Sequence, residues 1–239
     1  CALPISTPNS KDWENEQNRL NSNNPEYFSE MVSYMDSTVG KIINTLKNNN
    51  IDDNTIIIFL GDNGTDRKVF TKNNNVLVKG SKGLTNKYGT NVPLIISWSK
   101  LKKIKNEQTP LVDLIDFYST FEDLLDVEKK TSNGVSLLPL LLGENFDERK
   151  YITTYYNPMW GSLYKNRAVY IQNKKYKLYK SGSFYNYQLD PEEKYPLSLK
   201  SLDESTMNLL KEMDSILKKV PDLPEINFNN WQEKLRASN

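Results

Sequence analysis

The sequence predicts an α/β fold: part of a large mixed sheet flanked by helices over residues 1–147, followed by a small α+β domain with an antiparallel sheet over residues 148–239. Three observations predict it. Apolar residues recur at helical spacing through residues 28–46. Residues 55–60 and 93–98 are apolar without alternation, as in strands covered on both faces of a sheet. After Gly143 the pattern changes to short aromatic or β-branched stretches separated by polar turn residues.

Taken in order, residues 13–23 are polar and charged and read as a surface loop or a short helix. Asn24 and Pro25 then offer a helix cap followed by proline at the first helical position. Phe28, Met31, Val32, Met35, Val39, Ile42, Ile43 and Leu46 define one helix with one apolar face, ended by the asparagines at 48–50. A strand follows at 55–60, then a long loop, then a strand at 93–98. Residues 111–125 predict a second amphipathic helix with Leu111, Leu114, Ile115, Tyr118, Phe121 and Leu125 on its face. Helix, strand, strand and helix in that order belong to an α/β domain. In the second part, residues 150–156, 167–172, 176–180 and 184–188 predict the strands of the small sheet. Residues 205–220 predict a last amphipathic helix through Met207, Leu210, Met213, Ile216 and Leu217.

Composition excludes several classes of function. The 239 residues carry 31 Lys plus Arg against 30 Asp plus Glu, a net charge of +1 with no long block of either sign. A nucleic-acid or anionic-membrane footprint needs clustered basic charge, so neither partner is expected. The longest apolar runs, 56–60 and 137–142, the latter broken by Pro139, are too short to span a bilayer. Histidine is absent, so no imidazole of this chain acts as base, nucleophile or zinc ligand. The one cysteine, Cys1, excludes an internal disulfide or a multi-cysteine metal cluster. Residues 1–5 lack an initiating Met and read as one frame of a common sequencing adapter. The native sequence is therefore expected to begin near Thr7, as the C-terminal portion of a longer protein. A lipidated Cys1 is the rival reading.

The chemistry is concentrated after the first strand. Asp62 and Asn63 end the apolar run 56–60. Asn63-Gly64 is also a strong hairpin-turn signal, but a hairpin arm with one wet face should alternate and this one does not. Loops at the carboxyl ends of strands are where ligands sit in open α/β sheets. A carboxylate beside an amide oxygen suits a hard cation such as calcium or magnesium, with the rest of a six- to eight-coordinate shell supplied from elsewhere. Gly80-Ser81-Lys82-Gly83 places a lysine between glycines, where backbone and ammonium can approach an anion. The spacing is not that of a phosphate-binding P-loop, and a surface lysine alone is ordinarily just solvated.

In combination, D-N-T-I-I-I-F-L-G-D-N-G at 53–64, G-S-K-G at 80–83 and G-T-N-V-P-L-I at 89–95 closely resemble the later half of the sulfatase family, within the alkaline phosphatase superfamily. Residues 34–43 resemble that family's helix before the metal strand, and residues 7–13 a loop of some arylsulfatase-like members. Residues 133–143 and 184–193 resemble its later landmarks.

The resemblance implies a calcium-dependent sulfuric ester hydrolase acting on small-molecule or carbohydrate sulfate esters, exported to the periplasm or beyond. Its nucleophile would be a formylglycine made from Cys or Ser in a C/S-x-P-x-R motif. Asp62 and Asn63 match the family's late metal ligands, and Lys82 matches the catalytic lysine that contacts the sulfate. Several features depart from the family. No C/S-x-P-x-R is present, and Ser6 to Ser10 lacks the arginine. The early metal aspartates are absent, and a family histidine before Thr7-Pro8 would fall on residues 1–5. Lys87 to Asn91 replaces the common Glu-Gly-Gly-x-Arg. Two alternatives stand beside the sulfatase reading. One is a phosphodiesterase or phosphonate hydrolase of the same superfamily, whose two-zinc members carry Asp-His where this chain has Asp62-Asn63. The other is a non-catalytic scaffold or binding protein that keeps the fold.

Overall fold

A computed structural model describes residues 5–10, 13–17, 24–101, 109–128, 133–159 and 161–226. Residues 1–4, Cys1 among them, Lys11 and Asp12 of the 7–13 loop, and residues 18–23 lie outside them. The chain forms two compact units, Cys1–Lys150 with Pro191–Glu193, and Tyr151–Asp190 with Lys194–Asn239. No helix among the described residues is long and apolar enough to cross a membrane.

In the first unit, Asn24 caps a 3-10 turn, Pro25–Tyr27, by accepting the Glu26 N–H at 3.1 Å. Helix α1, Phe28–Asn48, follows directly. Strand β1, Ile57–Leu60, then leads into a segment richer than the expected loop. Strands β2, Phe70–Asn73, and β3, Val76–Lys79, pair as an antiparallel hairpin, and a single helical turn, α2, Lys87–Thr90, precedes β4, Leu94–Ser97. The hairpin turn is Asn74-Asn75, with φ of 45° and 67°. Positive φ at both central residues is the requirement of the type I′ turn, and asparagine tolerates it. Asn63 has no positive φ, so the hairpin reading of Asn63-Gly64 is excluded.

Two expectations of burial are corrected. Strands β1 and β4 pair antiparallel, Leu60 opposite Leu94, but their residues are half-buried or exposed rather than covered on both faces. Helix α1 buries no residue fully, and Val32, Met35 and Ile42 of its apolar face are exposed. Both elements carry apolar surface that no other described element covers.

Helix α3, Ile115–Leu124, is inverted relative to expectation. Its apolar face is open, with Leu114 and Leu125 62% and 68% exposed, while Asp116, Thr120 and Glu122 are buried. The cause is a hydrogen-bonded seam with residues 134–137. Asp116 accepts the Val135 N–H at 2.8 Å, Thr120 Oγ1 accepts the Leu137 N–H at 2.9 Å, and Ser119 donates to the Gly134 carbonyl at 3.1 Å. These bonds satisfy backbone groups that burial would otherwise orphan, and they orient the helix polar face inward. A one-turn helix, α4, Leu138–Leu141, continues the seam and buries Leu137 and Leu141.

The second unit has its own core. Strands β5, Ile152–Tyr156, β6, Ala168–Gln172, β7, Tyr176–Tyr179, and β8, Phe184–Asn186, form an antiparallel meander in chain order. Helix α5, Glu204–Leu217, lays Met213 and Leu217 onto Val169, Ile171, Leu178 and Phe184. On β7, Lys177 is fully buried, its ammonium 4.6, 5.5 and 5.9 Å from the ring centroids of Tyr170, Tyr187 and Tyr179. A desolvated cation over aromatic faces is stabilised by their quadrupoles.

Asp203 caps α5, accepting the Thr206 N–H at 2.7 Å, and that bond holds its carboxyl below the usual carboxylate range. The folded carboxyl keeps its charge where the unfolded one has protonated. The stability it adds is therefore full above about pH 4 and is lost as pH falls through the lowered folded value. In Asp203→Asn the amide oxygen caps at every pH, so the drop in unfolding midpoint between pH 7 and pH 3 is expected to shrink. An unchanged drop removes this cap from the acid sensitivity.

Candidate functional site

At the end of β1 the chain leaves the strand pair, with the Gly61 N–H donating to the Pro93 carbonyl at 3.1 Å. Asp62 is exposed, while Asn63 turns inward, its Oδ1 fully buried and accepting no hydrogen bond. Gly64 then meets the loop before β4, donating to the Gly89 carbonyl at 2.9 Å. The approach leaves no room for a side chain: a Cβ at Gly64 would lie 2.1 Å from the Tyr88 carbonyl oxygen. Gly64 is thus required by contact and not by a turn conformation.

Lys82 arrives on the same cluster from the other direction. The β2–β3 hairpin carries the chain out and returns it, closing with the Gly80 N–H on the Val69 carbonyl at 2.9 Å. The Lys82 N–H donates to the Thr65 carbonyl at 2.9 Å, and Arg67 Nε donates to the Lys82 carbonyl at 2.9 Å. Both backbone groups of Lys82 are therefore held by the residues immediately following Asn63-Gly64. Asp62, Asn63 and Lys82, adjacent only as fragments of a sequence pattern, stand on loops bonded backbone to backbone.

Two residues that the sequence reading passed over, Arg67 and Asn86, build this junction with Ser81. Arg67 grips the Lys82 carbonyl. Asn86 caps α2, its Oδ1 accepting the Gly89 N–H at 3.0 Å and its Nδ2 donating to Ser81 Oγ at 3.4 Å. Ser81, Asn86 and Gly89 are all buried. The departure at residues 87–91 from Glu-Gly-Gly-x-Arg thus coincides with a helical turn capped from its N-terminal side. An Asn three residues before Gly, the N-cap spacing, is the signal that could have found it.

The donor chemistry fits a hard cation. A buried amide oxygen without a hydrogen bond costs about 1–3 kcal/mol unless something else satisfies it, and a neighbouring carboxylate adds charge. Oxygen donors of this kind suit calcium. Among the described residues no group of three or more Cys, Asp or Glu is placed to hold a metal, so the pair supplies part of a shell at most.

Comparison with known proteins bears on the family. A family model described as Sulfatase matches residues 4–127, and one described as N-sulphoglucosamine sulphohydrolase, C-terminal, matches residues 82–221. The sulfatase YdeN of Escherichia coli is 31% identical over 179 residues, covering 68% of this chain and 31% of YdeN. The N-acetylgalactosamine-6-O-sulfatase of Bacteroides thetaiotaomicron is 31% identical over 137 residues, covering 52% of this chain and 26% of that protein. The crystal structure of Ps i-CgsB in complex with k-i-k-neocarrahexaose aligns with a TM-score of 0.61 at 25% identity, over 97% of this chain and 52% of that one. The chain thus spans under a third of the length of those curated relatives. With the Sulfatase model matching residues 4–127 of 239, the chain belongs to the sulfatase family.

Proposed function

We propose that this chain is the C-terminal portion of a calcium-dependent sulfatase that hydrolyses sulfate esters to an alcohol and inorganic sulfate. The observation that carries the reading is the backbone junction bringing the Asp62-Asn63 loop, with its orphaned Asn63 Oδ1, against the loop of Lys82. Asp62 and Asn63 would hold the calcium ion through their side-chain oxygens; when bound, the ion supplies positive charge against the sulfate oxygens. Lys82 presents an ammonium to the sulfate group and stabilises charge as it develops in the transition state. Arg67 and the Thr65 carbonyl keep that lysine in register.

The formylglycine nucleophile and the remaining metal ligands belong to polypeptide preceding this segment, which is exported with it. The open apolar faces of α1 and α3 support that assignment, since a continuing fold would cover them. Asn63 favours a sulfatase over a two-zinc phosphodiesterase, because an amide oxygen is a poorer zinc ligand than imidazole. The substrate class is a sugar or aryl sulfate, the former supported by the name of the 31% identical N-acetylgalactosamine-6-O-sulfatase.

The test uses the complete protein recovered from its gene. It is expected to release sulfate from 4-nitrophenyl sulfate or from N-acetylgalactosamine 6-sulfate, to lose that activity on chelation and to regain it with calcium. The 239-residue chain by itself is expected to release none. Asn63→Leu is expected to weaken calcium binding by calorimetry without lowering the metal-free unfolding midpoint, since it removes an unsatisfied buried acceptor. Failure of the complete, calcium-loaded protein to cleave either ester class sinks the sulfatase reading.

A further inference from the structure

We propose that Asn86 is a positioning residue for Lys82, setting the distance between the ammonium and the Asp62-Asn63 loop. It deepens the sulfatase reading and rests on the role of Lys82 in sulfate ester cleavage.

Asn86 is 9% exposed, and both ends of its amide are used. The oxygen takes the Gly89 N–H at 3.0 Å, and the nitrogen reaches Ser81 Oγ, the side chain immediately before Lys82, at 3.4 Å. Gly89 in turn gives its carbonyl to the Gly64 N–H at 2.9 Å. One buried side chain therefore links the residue preceding the lysine to the residue that receives the proposed metal loop. The linkage has little slack, because a Cβ at Gly89 would lie 2.2 Å from the Leu84 carbonyl and 2.7 Å from that of Ser81.

A cap on a four-residue helical turn needs only the bond to Gly89. The second arm, to Ser81, contributes nothing to capping and lies on the lysine side of the junction. Thr65 and Arg67 hold the Lys82 N–H and carbonyl, and the Asn86 arm holds the side chain of the residue before it. Loss of that arm allows the ammonium to shift by a fraction of an ångström or more. Displacements of that size in a reacting group cost up to about 100-fold in rate.

The experiment is a double-mutant cycle in the complete protein, read as kcat and KM for sulfate ester cleavage and as affinity for inorganic sulfate by calorimetry. Asn86→Ala is expected to lower kcat about 10- to 100-fold. In a Lys82→Ala background the same change is expected to cost less than about twofold, because its effect passes through the lysine. Asn86→Asp, whose carboxylate accepts from both the Gly89 N–H and the Ser81 hydroxyl, is expected to recover most of the loss. Ser81→Ala, which cuts only the lysine-side arm, is expected to lower kcat and weaken sulfate binding severalfold. It decides the matter if Asn86→Ala proves unfolded.

An equal loss in both backgrounds assigns Asn86 a general structural role and overturns the inference. So does unchanged turnover in Asn86→Ala, or in Ser81→Ala where that variant decides. A wild-type protein that cleaves no sulfate ester ends the sulfatase reading and this inference with it. An active wild type with indifferent variants ends this inference alone.

Discussion

Replacing Lys82 with alanine in the complete protein is expected to lower kcat for a sulfate ester by roughly 10²–10³-fold, the cost of removing one preorganised charge-stabilising donor, about 3–4 kcal/mol. The fold is expected to survive. Lys82 is half-buried, and the bonds that weld its loop to residues 65–67 use its backbone N–H and carbonyl, which alanine keeps. Near-UV dichroism should therefore overlay the wild type while affinity for inorganic sulfate falls. Lys82→Arg keeps the charge but replaces a compact ammonium with a longer planar fork, so it is expected to restore only part of the rate. Turnover of Lys82→Ala at the wild-type level removes this residue from the site.

The second large effect concerns stability. Asp116 is 0% exposed and its carboxylate is saturated by donors: the Asp113 and Val135 N–H groups at 2.8 Å each, Arg149 Nε at 3.1 Å, and a salt-bridging Arg149 Nη2. Arg149→Ala leaves a buried charge on two neutral donors and is expected to destabilise the protein by about 3–5 kcal/mol. Asp116→Ala in the same background removes that stranded charge. The double variant is therefore expected to be less destabilised than the sum of the two singles, by urea unfolding. Additivity would show that Asp116 and Arg149 are held independently. The same interaction explains why α3 faces as it does, since rotating the apolar face inward would expose the carboxylate and break the bonds to residues 135–137.

The small sheet and its helix were legible because their signals are local. Short β-branched stretches with intervening turn residues mark β5–β8, and Met213 and Leu217 at helical spacing mark the buried stripe of α5. The β2–β3 hairpin was missed, its segment being read as a long loop, for an equally local reason. Asn-Gly is the stronger turn signal, yet Gly64 is consumed by contact with Tyr88 and Gly89, and the type I′ turn falls on Asn74-Asn75. In α3 the amphipathic period was visible, but not which face would be buried. Hydrogen-bond saturation of Asp116 outweighed the apolar stripe among the described residues.

By itself the sequence determined the family, the apolar strand leading to Asp62 and Asn63, and the candidacy of Lys82, because each is written in residue type and short-range spacing. Only the tertiary structure decided that the two loops meet, that Asn63 turns a bare oxygen inward, and that Arg67, Ser81 and Asn86 hold the junction. The physical reason is that local preferences depend on neighbours along the chain. A backbone bond such as Thr65 to Lys82, or Gly64 to Gly89, forms only where missing side chains let distant segments touch.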